Sequence, residues 1–124
     1  MILVDTSVWI AHLRTGATEL SDLLDRGSVL SHPWVVGELA LGQLRQRRAV
    51  LDLLRQLPQA VVAAADEVLA FIDHHWLFGR GIGYVDAHLL AAAQLTPGAT
   101  LWTEDRRLAE AAGLLGTRFT PRET

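Results

Sequence analysis

At 124 residues, half of them hydrophobic and with a mean hydropathy of +0.22, the chain suits a single domain over residues 1–124 with one core, and leaves apolar surface for an oligomer or a partner. The absence of cysteine excludes disulfides and thiolate metal sites and fits a reducing cytoplasm; the four apolar residues before Asp5 are too short a run for a secretory signal, and the uncharged run from Ala87 to Thr103 is too interrupted to cross a bilayer. A net charge of −3 argues against a simple basic nucleic-acid binder, although all eleven basic residues are arginine, the better bidentate phosphate ligand.

Ile2 to Val4 is an apolar, β-rich run that ends at Asp5, the pattern of a buried parallel strand with an acid at its carboxyl end. Thr6 or Ser7 is expected to cap a helix containing Trp9, Ile10 and Leu13, and a second helix is expected from Thr18 to Arg26, stopping at Gly27. Ser28 to Ser31 reads as a strand. The helix after it has Pro33 in its first turn and carries Val36, Leu39, Ala40 and Leu44. Arg45 to Leu57 predicts a helix that Pro58 ends, Val61-Val62 a weak strand, and Asp66 to Phe78 a helix through Val68, Leu69, Ile72 and Trp76. A loop at Gly79 to Gly83 leads into a helix from Val85 to Leu95. Ala99 to Thr103 is a strand, Glu104 to Ala112 a helix, and Arg118 to Thr120 a possible last strand. Such alternation implies an α/β fold, a three-layer sandwich around a mostly parallel sheet.

In an open α/β sheet, ligands bind beyond the carboxyl ends of the strands, and four acids are expected there. Asp5 follows the first strand, Asp105 lies two residues past the strand ending at Thr103, Asp86 starts the helix before that strand, and Glu38 lies one turn into the helix that begins at Pro33. Clustered carboxylates repel one another and call for cations, and hard oxygen donors suit Mg²⁺ or Mn²⁺, which can activate water and hold a phosphodiester. Taken singly, Asp86 and Asp105 read better as helix caps and Glu38 as a solvated residue; Asp5 has fewer structural excuses.

At this point the residues resemble a known family, the PIN-domain ribonucleases, and within it the VapC toxins of bacterial toxin–antitoxin pairs. The stretch Met1-Ile-Leu-Val-Asp5-Thr6-Ser7-Val8-Trp9-Ile10 resembles the family's opening strand and first aspartate, and Val36-Gly37-Glu38-Leu39 its glutamate segment. Arg80-Gly-Ile-Gly-Tyr-Val-Asp86-Ala-His-Leu-Leu90 is similar to its third acidic motif, and Leu101-Trp-Thr103-Glu-Asp105-Arg-Arg-Leu108 to its fourth. The resemblance implies an endoribonuclease dependent on Mg²⁺ or Mn²⁺, a homodimer, RNA as substrate and inhibition by a cognate antitoxin. It makes Asp5 and Asp86 the firmest metal ligands, with Glu38 and Asp105 completing the catalytic set directly or through water. Thr6 or Ser7, together with Thr103, supports the site, and Arg80 is the phosphate candidate. Glu104 could replace Asp105 if the turn shifts by one residue; the family pattern favours Asp105.

His12, His32, His74, His75 and His88 lack the spacing of a zinc site and read as structural or surface residues. Arg45, Arg47 and Arg48 form a small basic patch that could meet RNA or acidic antitoxin side chains. Trp34, Trp76 and Trp102 read as core residues, and Trp9 as core or partner surface. A receiver-like signalling module also gathers aspartates around Mg²⁺, but it needs a lysine and this chain has none. A catalytically silent binding module would leave the acids without a task.

Overall fold

The structure, a computed structural model, describes residues 1–16 and 18–121. Three strands, β1 (Ile2–Val4), β2 (Val29–Leu30) and β3 (Thr100–Trp102), form a parallel sheet in the order β2-β1-β3. Ile2 pairs with Val29 and Thr100, Leu3 with Leu30 and Leu101, and Val4 with Trp102. The central strand is buried on both faces, which is why its side chains run apolar without alternation.

Single parallel bridges widen the sheet at both edges, Ser31 with Gln59 and Leu101 with Arg118. The first replaces the strand expected at Val61-Val62. Ser31 N–H donates to the Pro58 carbonyl and Ala60 N–H to the Ser31 carbonyl, so the register is set two residues earlier and both valines are left exposed. At the other edge the expected Arg118 to Thr120 strand shrinks to one bridge, held by Leu101 N–H on Thr117 and Phe119 N–H on Leu101.

The helices are α1 (Thr6–Thr15), α2 (Thr18–Asp25), α3 (Pro33–Ala40), α4 (Arg47–Gln56), α5 (Ala65–His74), α6 (Tyr84–Leu95) and α7 (Arg106–Leu114). From β1 the chain steps outward through β2 to Gln59, then crosses back to β3 and out to Arg118. Right-handed crossovers therefore place α1 to α4 on one face and α5 to α7 on the other, giving the three-layer α/β sandwich. Alanines at 87, 91, 92 and 93 let α6 lie close in, against β3 and α5.

Several boundaries move for local reasons. Asp5, rather than Thr6 or Ser7, is the N-cap of α1, because the strand ends one residue before the helix begins. α3 stops at Ala40, short of Leu44, and Gln46 enters the left-handed region (φ 55°) before α4 starts. α5 ends at His74, and Trp76 turns left-handed (φ 54°), so the helical period that put Trp76 on the inner stripe is broken before reaching it. Trp76 is 69% exposed and packs on Phe78, and Trp34 is 41% exposed on the first turn of α3; neither is a core residue. Trp102 and Trp9 are buried.

Leu3, Leu54, Leu89, Leu101 and Leu108 are among the fully buried members of the main core. Leu101→Ala is expected to lower unfolding free energy by about 3 kcal/mol, read from urea midpoints at an unchanged m-value. A loss below about 1 kcal/mol would show that β3 is not packed from both sides. Among the described residues, no helix is long and apolar enough to cross a membrane.

Candidate active site

The strand that holds the site is β1, where the chain direction changes sides between β2 and β3; ligands of α/β sheets bind at such a switch point. Asp5 sits at its carboxyl end and is only 6% exposed, with its N–H donating to the Trp102 carbonyl at 2.9 Å. Although it is the N-cap of α1, its carboxylate does not cap. Instead Oδ2 accepts 2.7 Å hydrogen bonds from both Ser7 Oγ and Thr103 Oγ1. Those two hydroxyls in turn accept from backbone, Ser7 Oγ from Glu104 N–H and Thr103 Oγ1 from Asp105 N–H, both at 3.0 Å. Each hydroxyl is thus fixed as a donor to Asp5, and the turn after β3 is tied to the first turn of α1.

Glu38 reaches the same edge from α3. Its Oε1 accepts from Thr6 Oγ1 at 2.7 Å, so the adjacent residues Thr6 and Ser7 serve two different acids. Asp86 is the third residue of α6, and its Oδ2 accepts from Gly83 N–H at 2.9 Å. Asp105 caps α7, with Oδ1 accepting from the N–H groups of Arg107 (2.9 Å) and Leu108 (3.1 Å). The cap reading of Asp105 is therefore correct as far as it goes, and it occupies one oxygen. In each of the four acids one carboxylate oxygen makes these bonds and the other stays outside them.

Asp5, Asp105 and Glu38 each lie close enough to act on the charge of Asp86. The Asp86 carboxyl is pushed above the usual carboxylate range, first by burial and then by the charges of Asp5, Asp105 and Glu38, while the Gly83 N–H opposes the shift. Asp105, and not Glu104, is among the charges acting on Asp86. As the side chains stand, no three His, Cys, Asp or Glu among the described residues are gathered tightly enough to hold an ion. The donor set nevertheless fits a hard divalent cation: oxygen only, four negative charges, and a member held ionised at a cost.

Arg80 is exposed in the loop before α6, with its Nε–H donating to the Trp76 carbonyl at 3.0 Å. Two histidines are structural in a way their sequence positions did not signal. His32, fully buried, is the N-cap of α3, its Nδ1 accepting from Trp34 N–H at 3.1 Å. His88 is buried on α6 between the rings of Trp34 and Tyr84, at centroid distances of 5.0 and 4.7 Å. An N-cap histidine is outside the usual Ser, Thr, Asp and Asn menu, so only the tertiary contact reveals it.

A PIN domain model matches residues 2–114 of the chain. The chain is 51% identical over 116 residues to proteins called Ribonuclease VapC32 from two strains of Mycobacterium tuberculosis, with 94% of each partner covered. Its fold is similar to the crystal structure of PAE2754 from Pyrobaculum aerophilum, at a TM-score of 0.57 and 20% identity, covering 89% of this chain and 78% of that one. The chain accordingly belongs to the PIN-domain family and, within it, to the VapC-type ribonucleases.

Proposed function

We propose that this chain is a metal-dependent endoribonuclease, the toxin of a toxin–antitoxin pair, acting in the cytoplasm through Asp5, Glu38, Asp86 and Asp105. The observation that carries the reading is that three carboxylates, Asp5, Glu38 and Asp105, bear on Asp86 at the sheet's switch point, with one oxygen of each of the four acids outside the hydrogen bonds described above. The likeness to Ribonuclease VapC32 supports RNA as the substrate.

These four oxygens would hold Mg²⁺ or Mn²⁺, and the bound cation would activate water and offset charge on the phosphodiester as water adds and the P–O bond breaks. The protein's own task is positioning. Ser7 and Thr103 orient Asp5 from two sides, Thr6 orients Glu38, the Gly83 N–H orients Asp86, and the α7 cap orients Asp105. Hydroxyls locked in this way leave the acids little freedom to rotate as substrate enters, which keeps reorganisation small. Arg80, in the loop before Asp86, offers a guanidinium to phosphate.

The antitoxin reading is supported by a groove of about 520 Å³ lined by Ile10, Leu13, Arg14, Gln43, Leu44 and Arg45, an apolar floor with two cations. Such a lining suits an amphipathic segment with acidic flanks. Exposed Leu69, Trp76, Phe78 and Leu95 on the α5 and α6 side are consistent with a homodimer.

The test is incubation of purified protein with a mixed RNA pool in Mg²⁺, Mn²⁺ or EDTA. Cleavage in either metal and none in EDTA is the expected result. Cleavage undiminished by EDTA would remove the metal from the reaction, and binding without cleavage in every buffer would make the chain a silent binding module.

A further inference from the structure

RNA approaching this site meets a chain of net charge −3 and four carboxylates, so phosphates beside the scissile one need a positive group of their own. Arg106 pairs with Glu110 at 3.5 Å, and Arg80, the phosphate candidate above, donates its Nε–H to the Trp76 carbonyl within its own loop. Arg107 is different. It is the second residue of α7, exposed, and its backbone N–H donates to Asp105 Oδ1. Its side chain runs back over the loop before α6 and rests on Gly81, a left-handed residue at φ +78°.

A Cβ at position 81 would lie 2.9 Å from Arg107 Cδ and 3.1 Å from Cζ, and would collide with Nη1. Gly81 is therefore a notch that the guanidinium fills. Two residues further on, the Gly83 N–H holds Asp86. The Arg107 guanidinium thus lies against the loop that orients Asp86, on a side chain that starts beside the cap formed by Asp105, and among the described residues the ion pair found is Arg106–Glu110, so no carboxylate pairs with Arg107.

We propose that Arg107 binds a backbone phosphate of the RNA strand adjacent to the scissile position, and that Gly81 is the seat that presents its guanidinium to the strand. The assignment rests on the ribonuclease reading above. A planar fork with several N–H donors suits a bidentate phosphate contact, and a glycine at position 81 leaves the room in which the side chain lies over the loop.

The experiment is steady-state cleavage of a labelled single-stranded RNA in Mg²⁺ across a KCl series, for the wild type, Arg107→Ala, Arg107→Lys and Arg106→Ala. Arg107→Ala is expected to raise KM about tenfold with kcat changed far less, as loss of a charge-assisted phosphate contact requires. The slope of log kcat/KM against log salt should also fall by about 0.7, the increment for one phosphate of a single strand. Arg107→Lys is expected to keep the wild-type slope and recover part of the KM. Arg106→Ala removes the same charge one residue away and should match wild type in both. An unchanged KM and slope in Arg107→Ala would overturn the assignment, as would a fall in kcat alone, which would make Arg107 a brace for the loop. Cleavage by no protein in the set, wild type included, would overturn the ribonuclease reading along with it, so the two failures are distinguishable.

Discussion

Asp86→Asn is expected to lower RNA cleavage by about a thousandfold or more, on the order of 4 kcal/mol of transition-state stabilisation, while raising Tm in metal-free buffer. Both effects have one source. Asp86 is half-buried and faced by the charges of Asp5, Asp105 and Glu38, so its ionised form is less favourable in the folded chain than in the unfolded one. A carboxyl raised in this way favours the fold at low pH, and that contribution is lost as pH rises from the ordinary carboxylate range through the raised value. Asparagine has no charge to relieve and still offers an oxygen to the Gly83 N–H, so the start of α6 is preserved.

Divalent metal supplies the matching signature. Mg²⁺ at about a hundred times its dissociation constant should stabilise the wild type by about 2.7 kcal/mol and the variant by much less. Thermal unfolding in EDTA and in Mg²⁺, run beside the cleavage assay, reads all three quantities. Full activity in Asp86→Asn, or a lower Tm in EDTA, would remove Asp86 from the centre of the cluster.

Acid is expected to destabilise the chain by way of His32. Burial, and then the nearby His88, lower its pKa from 6.5 to about 4, and its Nδ1 must stay unprotonated to accept from Trp34 N–H. A histidine depressed in this way contributes stability that is fully present above pH 6.5 and is lost as pH falls toward about 4. The shift corresponds to something on the order of 3 kcal/mol at neutral pH. Protonation turns the cap's acceptor into a second donor aimed at the Trp34 N–H, which undoes the first turn of α3, the helix that carries Glu38.

The check is unfolding free energy from pH 7.5 to 4 for wild type and His32→Asn, with the His32 ring titration followed by NMR. Asparagine is a strong N-cap without a titration in this range, so its profile should be flatter even though its neutral-pH stability is lower. His88, whose pKa burial also lowers, should leave a residual slope in the variant. A His32 resonance titrating near 6.5, or parallel profiles for the two proteins, would show that α3 does not depend on a neutral ring.

Wherever the signal was local, it was readable. Three apolar residues before Asp5 can hardly be other than a buried parallel strand, Gly27 follows α2 in the left-handed region, and Pro33 sits in the first turn of α3 as its fixed φ allows. The α/β class followed from the alternation of such elements, and the four acids were candidates because of their places after strands and in helix first turns. The weaker strands were misplaced because two or three residues carry little periodicity. Pairing decides there: the carbonyl of Pro58 selects Gln59 over Val61, and Leu101 selects Arg118 alone.

By itself, then, the sequence determined the class of fold, the order of its main elements and the places of four candidate acids along it, because apolar period, capping chemistry and chain punctuation act over a few neighbouring residues. Only the tertiary structure decided what those acids do to one another and what holds them. The Ser7 and Thr103 hydroxyls lie 96 residues apart along the chain yet share one oxygen of Asp5, and Arg107 sits on Gly81 across two elements. Trp76 and Trp34 left the core, and His32 and His88 entered it, for the same reason: exposure is set by where a helix ends and what packs beside it, neither of which is written within reach of the residue concerned.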